Sequence, residues 1–226
     1  MAPTRKRWLT IAAAVTVPLV AAAIGLHTPA GRALLGGADG CPWGKGAPSA
    51  VQLEELRVKS TTTLKPNGST RATTRPAFGF ALDQSTRADV TAWATRASAT
   101  CVDEIGGAAL RCELAKKNIS EENGVSVRDA FFRFDPRGVI VGIDLMRDGT
   151  DGAKAAAVLT TISNRIAGAA GPPSTVQGMA DSAHLGGYLD RAATEFRFAD
   201  YAADVSATNL GEEGVVIREQ YRSIPN

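Results

Sequence analysis

The segment SVRDAFFRFDPRGVIVGIDLM, residues 126–146, decides the predicted fold. Its beginning, 126–134, and its end, 139–146, are rich in β-branched and aromatic residues, which favour strands. The tetrad Asp-Pro-Arg-Gly at 135–138 lies between them and fits a type I turn, with Pro second and Gly fourth. Two strand-like runs joined by a tight turn predict a β-hairpin within an antiparallel sheet.

A second segment echoes the first. FFRF at 131–134 is followed 64 residues later by EFRF at 195–198. The same offset relates a helix expected to begin near Asp89 to a helix expected to begin near Ala153. We therefore predict two degenerate copies of one unit, a helix followed by an antiparallel meander.

Three helices are predicted where a capping residue precedes apolar residues at helical spacing. The first spans about 49–60, and the second follows a cap at Thr86. The third follows a cap at Thr150 or Asp151 and ends at Gly168. Strand-like runs occupy 77–82, 108–114, 126–134, 139–146, 193–199, 202–210 and 215–224.

These elements predict one α+β domain over residues 49–226. Its repeat halves cover about 77–147 and 150–224, and together they form one sheet with helices packed on one face. The period exceeds that of the usual short solenoid repeats, and two copies favour duplication within a domain over an array.

The stretch CVDEIGGAALRC, from Cys101 to Cys112, raises three alternatives: a redox centre, a metal clip or a disulfide. A redox motif has the form C-x-x-C, and structural zinc sites use four ligands at short spacings. Ten residues separate these two cysteines, with no His nearby. We predict a disulfide that joins the end of the helix after Thr86 to a strand, worth about 3 kcal/mol in the chain-entropy model.

The N-terminus, residues 1–26, has a basic start followed by an apolar stretch from Trp8 to Leu26. Nineteen helical residues rise about 28 Å, close to the thickness of a bilayer core. The basic start predicts an N-terminus in the cytoplasm and an exported body. A retained bacterial inner-membrane anchor and a cleaved signal peptide, which would give a secreted protein, are both compatible with this stretch.

Residues 27–48 are rich in Gly and Pro and predict a tether. The tether contains Cys41, an odd cysteine in an exported chain. It is a candidate for pairing with another chain or for lipidation, or it is an unpaired thiol.

The net charge of the chain is +2, and the basic N-terminus accounts for the excess. The exported body is therefore close to neutral. Nucleic-acid binding needs a concentrated basic face, so we predict no nucleic-acid partner.

The sequence predicts no catalytic residues, no metal site and no cofactor. Of the two histidines, His27 lies at the membrane edge, and His184 follows Ser182 closely in sequence. A catalytic triad is defined by spatial geometry, so this adjacency is weak evidence for hydrolysis. The acidic stretch at 148–152 fits a turn before a helix better than a calcium loop.

One set of residues predicts a binding face. If Phe132 and Phe134 point to the core, strand alternation directs Arg133 to the opposite face, and Arg197 behaves in the same way. Arg and Tyr are favoured interface anchors. The alternative is a solvated face with Arg–Glu pairs. The candidate residues are Arg133, Arg197, Tyr201, Arg218 and Tyr221, although the last three have ambiguous facing.

The order of a capped helix, two cysteines and aromatic strands, twice over, resembles the tandem repeat of β-lactamase inhibitor proteins and of small outer-membrane assembly lipoproteins. The residues that carry the resemblance are Thr86, Val90, Cys101, Cys112, Phe132 and Phe134. The second copy has no cysteines. The resemblance implies a non-enzymatic module that packs helices on one sheet face and binds proteins with the other.

The sequence thus predicts a non-enzymatic interaction or assembly module of the bacterial envelope, with its body in the periplasm or outside. An inhibitor or sensor that binds an enzyme or a cell-wall ligand is the alternative. An enzyme with an unrecognised site is a third reading.

Overall fold

The computed structural model describes residues 49–62, 64, 70–114 and 122–225. The predicted membrane segment, the tether and Cys41 lie outside these ranges. Among the residues that are described, no helix is both long and apolar enough to cross a bilayer.

The described part of the chain contains three α-helices, and each begins at a predicted cap. Thr86 and Asp89 make a reciprocal capping box, while Asp151 accepts a hydrogen bond from the backbone of Lys154. Ser49 and Gln52 exchange the equivalent bonds at the first helix. The helices are α1, Ala50–Thr62; α2, Arg87–Arg96; and α3, Gly152–Ala170.

Helix α3 continues past Gly168, where the sequence predicts its end. Ala170 is buried in the core, so two further residues gain packing that offsets the modest cost of a glycine inside the helix. The carbonyls of Ala169 and Ala170 accept hydrogen bonds from the backbone of Thr74 and Thr73, which satisfies the helix end.

Eight strands form one antiparallel sheet in the order β3-β4-β5-β6-β10-β9-β8-β7. Each half is a four-stranded meander, and the last strands of the two meanders, β6 and β10, lie side by side. The strands are β3, Thr100–Glu104; β4, Ala109–Glu113; β5, Val127–Phe134; β6, Ile140–Thr150; β7, Thr175–Gln177; β8, Arg191–Arg197; β9, Tyr201–Asn209; and β10, Val215–Ser223.

The predicted hairpin at 126–146 is present as β5 and β6. The predicted single strand at 77–82 is instead a short hairpin of two strands with two residues each, β1 (Pro76–Ala77) and β2 (Phe80–Ala81). Its turn residues, Phe78 and Gly79, both have positive φ, at 55° and 80°. This left-handed pair reverses the chain within two residues, as in a type I′ turn. Strand β7 lies outside the strand-like runs predicted from the sequence.

Helices α2 and α3 cover one face of the sheet. Trp93 of α2 packs edge-on against Phe132 of β5, with ring centroids 5.4 Å apart. Helix α3 packs on β9 and β10, and its Ile162 is fully buried in the same core. Register places Phe132 and Phe196 in one cross-strand row on this face, through Ile143, Tyr221 and Ala203.

Cys101 and Cys112 form the predicted disulfide, but they do not join a helix to the sheet. Helix α2 ends at Arg96, and Ser98 turns the chain with φ 51°. Cys101 therefore lies in β3, directly opposite Cys112 in β4. The bond fastens two neighbouring strands at the edge of the sheet.

The FFRF and EFRF echo does not mark equivalent positions. FFRF ends β5, the third strand of the first meander, whereas EFRF begins within β8, the second strand of the second meander. What recurs is the order of elements, a helix followed by four antiparallel strands.

Candidate functional site

The face of the sheet opposite α2 and α3 carries a row of arginines. Strand pairing aligns Arg133, Gly142, Arg222, Ala202 and Arg197 across five adjacent strands. Side chains of directly paired residues point to the same face. We call this side the arginine face. Strand alternation therefore assigned Arg133 and Arg197 to the same side of the sheet correctly.

Asp144 of β6 is the centre of the face. Its two carboxylate oxygens accept hydrogen bonds from Arg222 Nη2 at 2.8 and 2.9 Å. Arg133 Nη2 lies 2.9 Å from Asp144, and Arg218 Nη2 lies 3.4 Å away. Gln220 donates a further bond of 2.5 Å. Three guanidinium groups thus share one carboxylate, so this cluster carries two surplus positive charges.

Gly142 explains how Arg222 reaches Asp144. A Cβ atom at position 142 would lie 3.3 Å from Cδ of Arg222, so the glycine leaves room for the arginine side chain to lie across β6. Arg222 Nη1 also donates to the carbonyl oxygens of Ile143 and Tyr221, at 3.1 and 2.8 Å. Arg222 is therefore a fixed part of the sheet surface.

The electrostatics of the cluster appear in two pKa shifts. Burial raises the pKa of Asp144, but the charges of Arg222 and Arg133 and hydrogen bonds from Arg222 and Gln220 outweigh it and leave the pKa below its ordinary value. Burial and the nearby Arg222 lower the pKa of Arg133, despite the attraction of Asp144. Positive charge is crowded here, which favours an additional anion.

Arg197 lies at the other end of the row and has its own partners. Its Nη2 contacts Asp204 at 2.5 Å and Glu195 at 3.2 Å. Its Nη1 donates to the carbonyls of Phe196 and Ala203. Because two acids pair with this one cation, this end of the arginine face fits the alternative given in the sequence analysis, which is a solvated face with Arg–Glu pairs.

Tyr201 and Tyr221 do not lie on the arginine face. Both are buried on the helix-covered side. Tyr201 Oη donates to the Pro76 carbonyl at 2.6 Å, and Tyr221 Oη donates to Glu219 at 2.5 Å. Burial, reinforced by Glu219, raises the pKa of both phenols. We therefore leave the two tyrosines out of the candidate surface.

A depression of about 340 Å³ opens beside Asp144. It is lined by two cations, two acids and three apolar residues: Arg111, Arg218, Asp129, Asp144, Phe131, Leu145 and Met146. The guanidinium of Arg133 stacks 5.3 Å from the Phe131 ring centre. Arg218 and Arg111 are half exposed, and Arg111 pairs with Glu104 at 3.1 Å and with Glu113 at 3.6 Å. Aromatic residues, Met and Arg are enriched in the cores of protein interfaces.

Sequence reasoning missed three features of this surface: Phe131, Asp144 and Arg222. Phe131 is two residues from Arg133 in β5, so strand alternation alone would have placed it on the same face. Asp144 stands out as an acid within the apolar run at 139–146. Its arginine partners come from β5 and β10, and no local pattern reveals that pairing.

His184 lies in a short 3₁₀ turn, His184–Gly186, outside the strands that carry the arginine face. Its ring nitrogen Nε2 is 3.1 Å from the Arg191 carbonyl oxygen, and its backbone nitrogen donates to Asp181. Asp181 thus accepts a hydrogen bond across residues 181–184, just before the 3₁₀ turn His184–Gly186. Among the described residues, no group of three His, Cys, Asp or Glu side chains is arranged to hold a metal ion.

No protein family, curated protein or solved structure matches this chain.

Proposed function

We propose that this chain is a non-enzymatic interaction module of the bacterial envelope, and that the arginine face binds an exported protein. The observation that carries the proposal is the Asp144 cluster beside the Phe131–Met146 depression. The surplus positive charge around Asp144 adjoins an accessible apolar surface. The charge can steer and orient an acidic partner, and the apolar surface can be buried against it.

The chemistry of the site defines the partner. Arg218 flanks the depression and is half exposed, whereas Arg111 on the other side already pairs with Glu104 and Glu113. A guanidinium binds a carboxylate through two parallel hydrogen bonds. The partner is therefore expected to present an Asp or Glu side chain to Arg218 and an apolar side chain to Phe131 and Met146.

Export supports the same proposal. Disulfides persist in oxidising compartments, and the Cys101–Cys112 bond suits a domain outside the cytoplasm. In this proposal residues 8–26 hold the chain in the inner membrane, or are cleaved on export, and 27–48 form the tether.

We also infer that the domain arose by duplication of a helix-then-meander unit. The support is the recurring order of a helix and four antiparallel strands, with β6 and β10 adjacent. In the inhibitor and assembly proteins that the sequence resembles, such a sheet would use the face away from its helices for binding. The arginine face has that position here.

An inhibitor or sensor is the second candidate, because a cavity of about 730 Å³ lies on the helix-covered side. A sensor requires a ligand-binding site in addition to a partner surface. The distinction between the two candidates therefore depends on whether this cavity binds a ligand.

The test is affinity purification of the full chain from envelope extracts after crosslinking. Arg218→Glu reverses one exposed charge at the depression, and Arg96→Glu makes the same change on the exposed side of α2. We expect partner recovery to fall at least tenfold for Arg218→Glu and to be unchanged for Arg96→Glu. If Arg133→Glu combined with Arg218→Glu leaves every recovered protein in place, the arginine face is only solvated surface.

A further inference from the structure

Five large apolar side chains are exposed at one corner of the sheet, where β7 ends, β8 begins and β9 connects to β10. Each side chain is between 38% and 72% exposed. Single exposed apolar residues are common on protein surfaces, whereas contiguous groups mark sites of interaction. We call this surface the corner patch, and its residues are Val176, Met179, Tyr188, Leu189 and Leu210.

The loop before β8 and the connection between β9 and β10 form one half of the corner patch. The backbone nitrogen of Leu189 donates to the Asn209 carbonyl at 2.8 Å. The Tyr188 ring lies against Gly211, because a Cβ atom at 211 would be 3.3 Å from Cδ2 of the ring. These contacts are made by the two residues that flank Leu210, so the three apolar side chains form one surface.

The end of β7 adjoins the same loop. Gly178 has a φ of 68°, and a Cβ atom there would lie 2.5 Å from the Arg191 carbonyl oxygen and 2.6 Å from Nε2 of His184. Glycine is therefore needed for this close approach. It places Met179 beside the start of β8, two residues after Leu189, so that the corner patch is continuous.

Leu189 is strained as well as exposed. Its φ is 64°, in the left-handed region that is unfavourable for a bulky side chain. Because the side chain is exposed, packing in the core does not offset this strain. Backbone outliers of this kind are concentrated at functional sites. The strain presents an apolar side chain to solvent, which fits a surface that a partner covers.

Negative charge surrounds the corner patch. The segments that form it contain four acids and one cation. These residues, within 175–191 and 209–214, are Asp181, Asp190, Glu212, Glu213 and Arg191. The neighbouring cations Lys154 and Arg128 pair with Asp151 and Asp129, and none of the four acids makes an ion pair within the described part of the chain. The corner patch is therefore apolar with an acidic rim.

The Asp144 cluster on the arginine face has the opposite charge. Its surplus cations adjoin the depression that contains Phe131 and Met146, and Arg218 at the rim is half exposed. Surfaces with potentials of opposite sign are favoured as partners. The corner patch thus has the acidic and apolar groups that the partner of the arginine face is expected to present.

We propose that the corner patch of one copy binds the arginine face of a second copy of this chain. Tyr188 and Leu189 cover Phe131 and Met146, and the acids of the β9–β10 connection approach Arg218. The proposal rests on the proposed function, because it names the partner of the arginine face. Each contact uses a different surface from each copy.

The test places a photoreactive phenylalanine at position 188 of the full chain in intact cells. After irradiation we expect a covalent dimer on gels run under reducing conditions, so that pairing through Cys41 does not contribute. Mass spectrometry should find position 188 joined to a peptide from β5, β6 or β10. The absence of a dimer, or a product that joins position 188 only to another protein or to other peptides, would overturn the proposal.

A second probe separates this proposal from the proposed function. The same photoreactive residue is placed at position 131, in the depression. A different protein captured from position 131, with no dimer from position 188, would support the proposed function and overturn binding to a second copy. A dimer from both positions supports both proposals, and no product from either position contradicts both.

Charge reversal tests the pairing of the two surfaces. With the probe at 188, Arg218→Glu should lower the dimer yield at least about tenfold, because like charges then face each other. Glu212→Arg combined with Glu213→Arg should have the same effect. All three changes in one chain should recover part of the dimer, whereas Glu55→Arg on the exposed side of α1 should change nothing. No recovery in the triple variant contradicts direct contact.

Leu189→Asn tests the apolar contact while preserving the fold. Asn adopts a left-handed φ more readily than Leu, so the melting temperature of the full chain should be unchanged or higher. With the probe at 131, the dimer yield should nevertheless fall about tenfold. Leu56→Asn, the same change on an exposed position of α1, is the control. A wild-type dimer yield for Leu189→Asn contradicts the proposal even if the charge-reversal variants fail to fold.

Discussion

Strands β6 and β10 carry a charged cluster on each face of the sheet, and the two clusters differ in their charge balance. On the helix-covered face, one guanidinium, Arg147, pairs with one carboxylate, Glu219, and Tyr221 completes the set. On the arginine face, Asp144 contacts three arginines. The Glu219 cluster is neutral within itself, whereas the Asp144 cluster, in which Asp144 and Arg222 are largely buried and Arg133 and Arg218 are partly exposed, has more cations than anions.

The difference follows from solvent. A buried charge without a counterion is costly, so burial requires a close match between cations and anions. In the Asp144 cluster, the side chains of Arg133 and Arg218 are 40% and 51% exposed, so water screens their charge and the cluster tolerates an excess. In our proposal a partner binds at the excess of positive charge around Asp144, and the balanced pair at Glu219 supports the fold.

Breaking the buried cluster should have the largest effect on stability. Glu219→Gln keeps the size of the side chain but leaves the Arg147 guanidinium buried without its carboxylate. We expect a loss of about 3–5 kcal/mol in the free energy of unfolding, measured by urea denaturation. The control is Glu195→Gln on the arginine face, which should cost less than about 1 kcal/mol. Equal losses for the two variants would show that the buried pair has no special role.

Removing the charge of Asp144, the central acid of the Asp144 cluster, should have a smaller effect on stability. Asp144→Asn leaves three guanidinium groups around a neutral amide, and we expect a loss of about 1–3 kcal/mol by the same measurement. Asp129→Asn, on the same face but outside the Asp144 cluster, is the matched control. A loss for Asp144→Asn as large as that for Glu219→Gln would remove the distinction between the two faces.

The pH dependence of stability should test the contribution of the negative charge on Asp144. The pKa of Asp144 in the folded chain lies below its ordinary value of 3.8. Its contribution to stability is therefore fully present above that value and is lost as the pH falls through the lower, folded-state pKa. Melting temperatures between about pH 6 and 2 should fall less steeply for Asp144→Asn than for the wild-type chain. Parallel curves would mean that Asp144 has no stabilising role as an anion.

The smallest expected effect on stability is at the rim of the depression. Arg218 is half exposed, so Arg218→Glu should change the free energy of unfolding by no more than about 0.5 kcal/mol. Partner recovery should nevertheless fall by at least tenfold. If Arg218→Glu unfolds the chain, Arg218 supports the sheet. The Asp144 cluster would then be required for folding, as the Glu219 cluster is expected to be.

Local pattern predicted much of the fold. Capping residues predicted where the three described helices begin, and the turn at 135–138 predicted the β5–β6 hairpin. Because side chains alternate along β5, the sequence predicted Arg133 on the opposite face of the sheet from Phe132. These features depend on residues that lie within a few positions of each other, so one sequence is sufficient to find them.

The errors arose where distant pairing decides the structure. The facing of Tyr221 was ambiguous because its strand, VVIREQYRS, has a charged residue, Glu219, on the buried side, which breaks the usual alternation. Glu219 is tolerated there only because Arg147 lies in the neighbouring strand, 72 residues away in sequence. Likewise, Cys101 was assigned to a helix because its spacing fits one, but pairing of β3 with β4 determines its position.

The most direct test of the arginine face is site-specific photocrosslinking in intact cells. A photoreactive amino acid is placed at position 131, in the depression, or at position 96, on the exposed side of α2. We predict a discrete crosslinked protein from position 131 but not from position 96, and its loss when Arg218→Glu is combined with the probe at 131. Equal crosslinking from both positions, or a product that is unaffected by Arg218→Glu, would contradict a partner-binding role for this face.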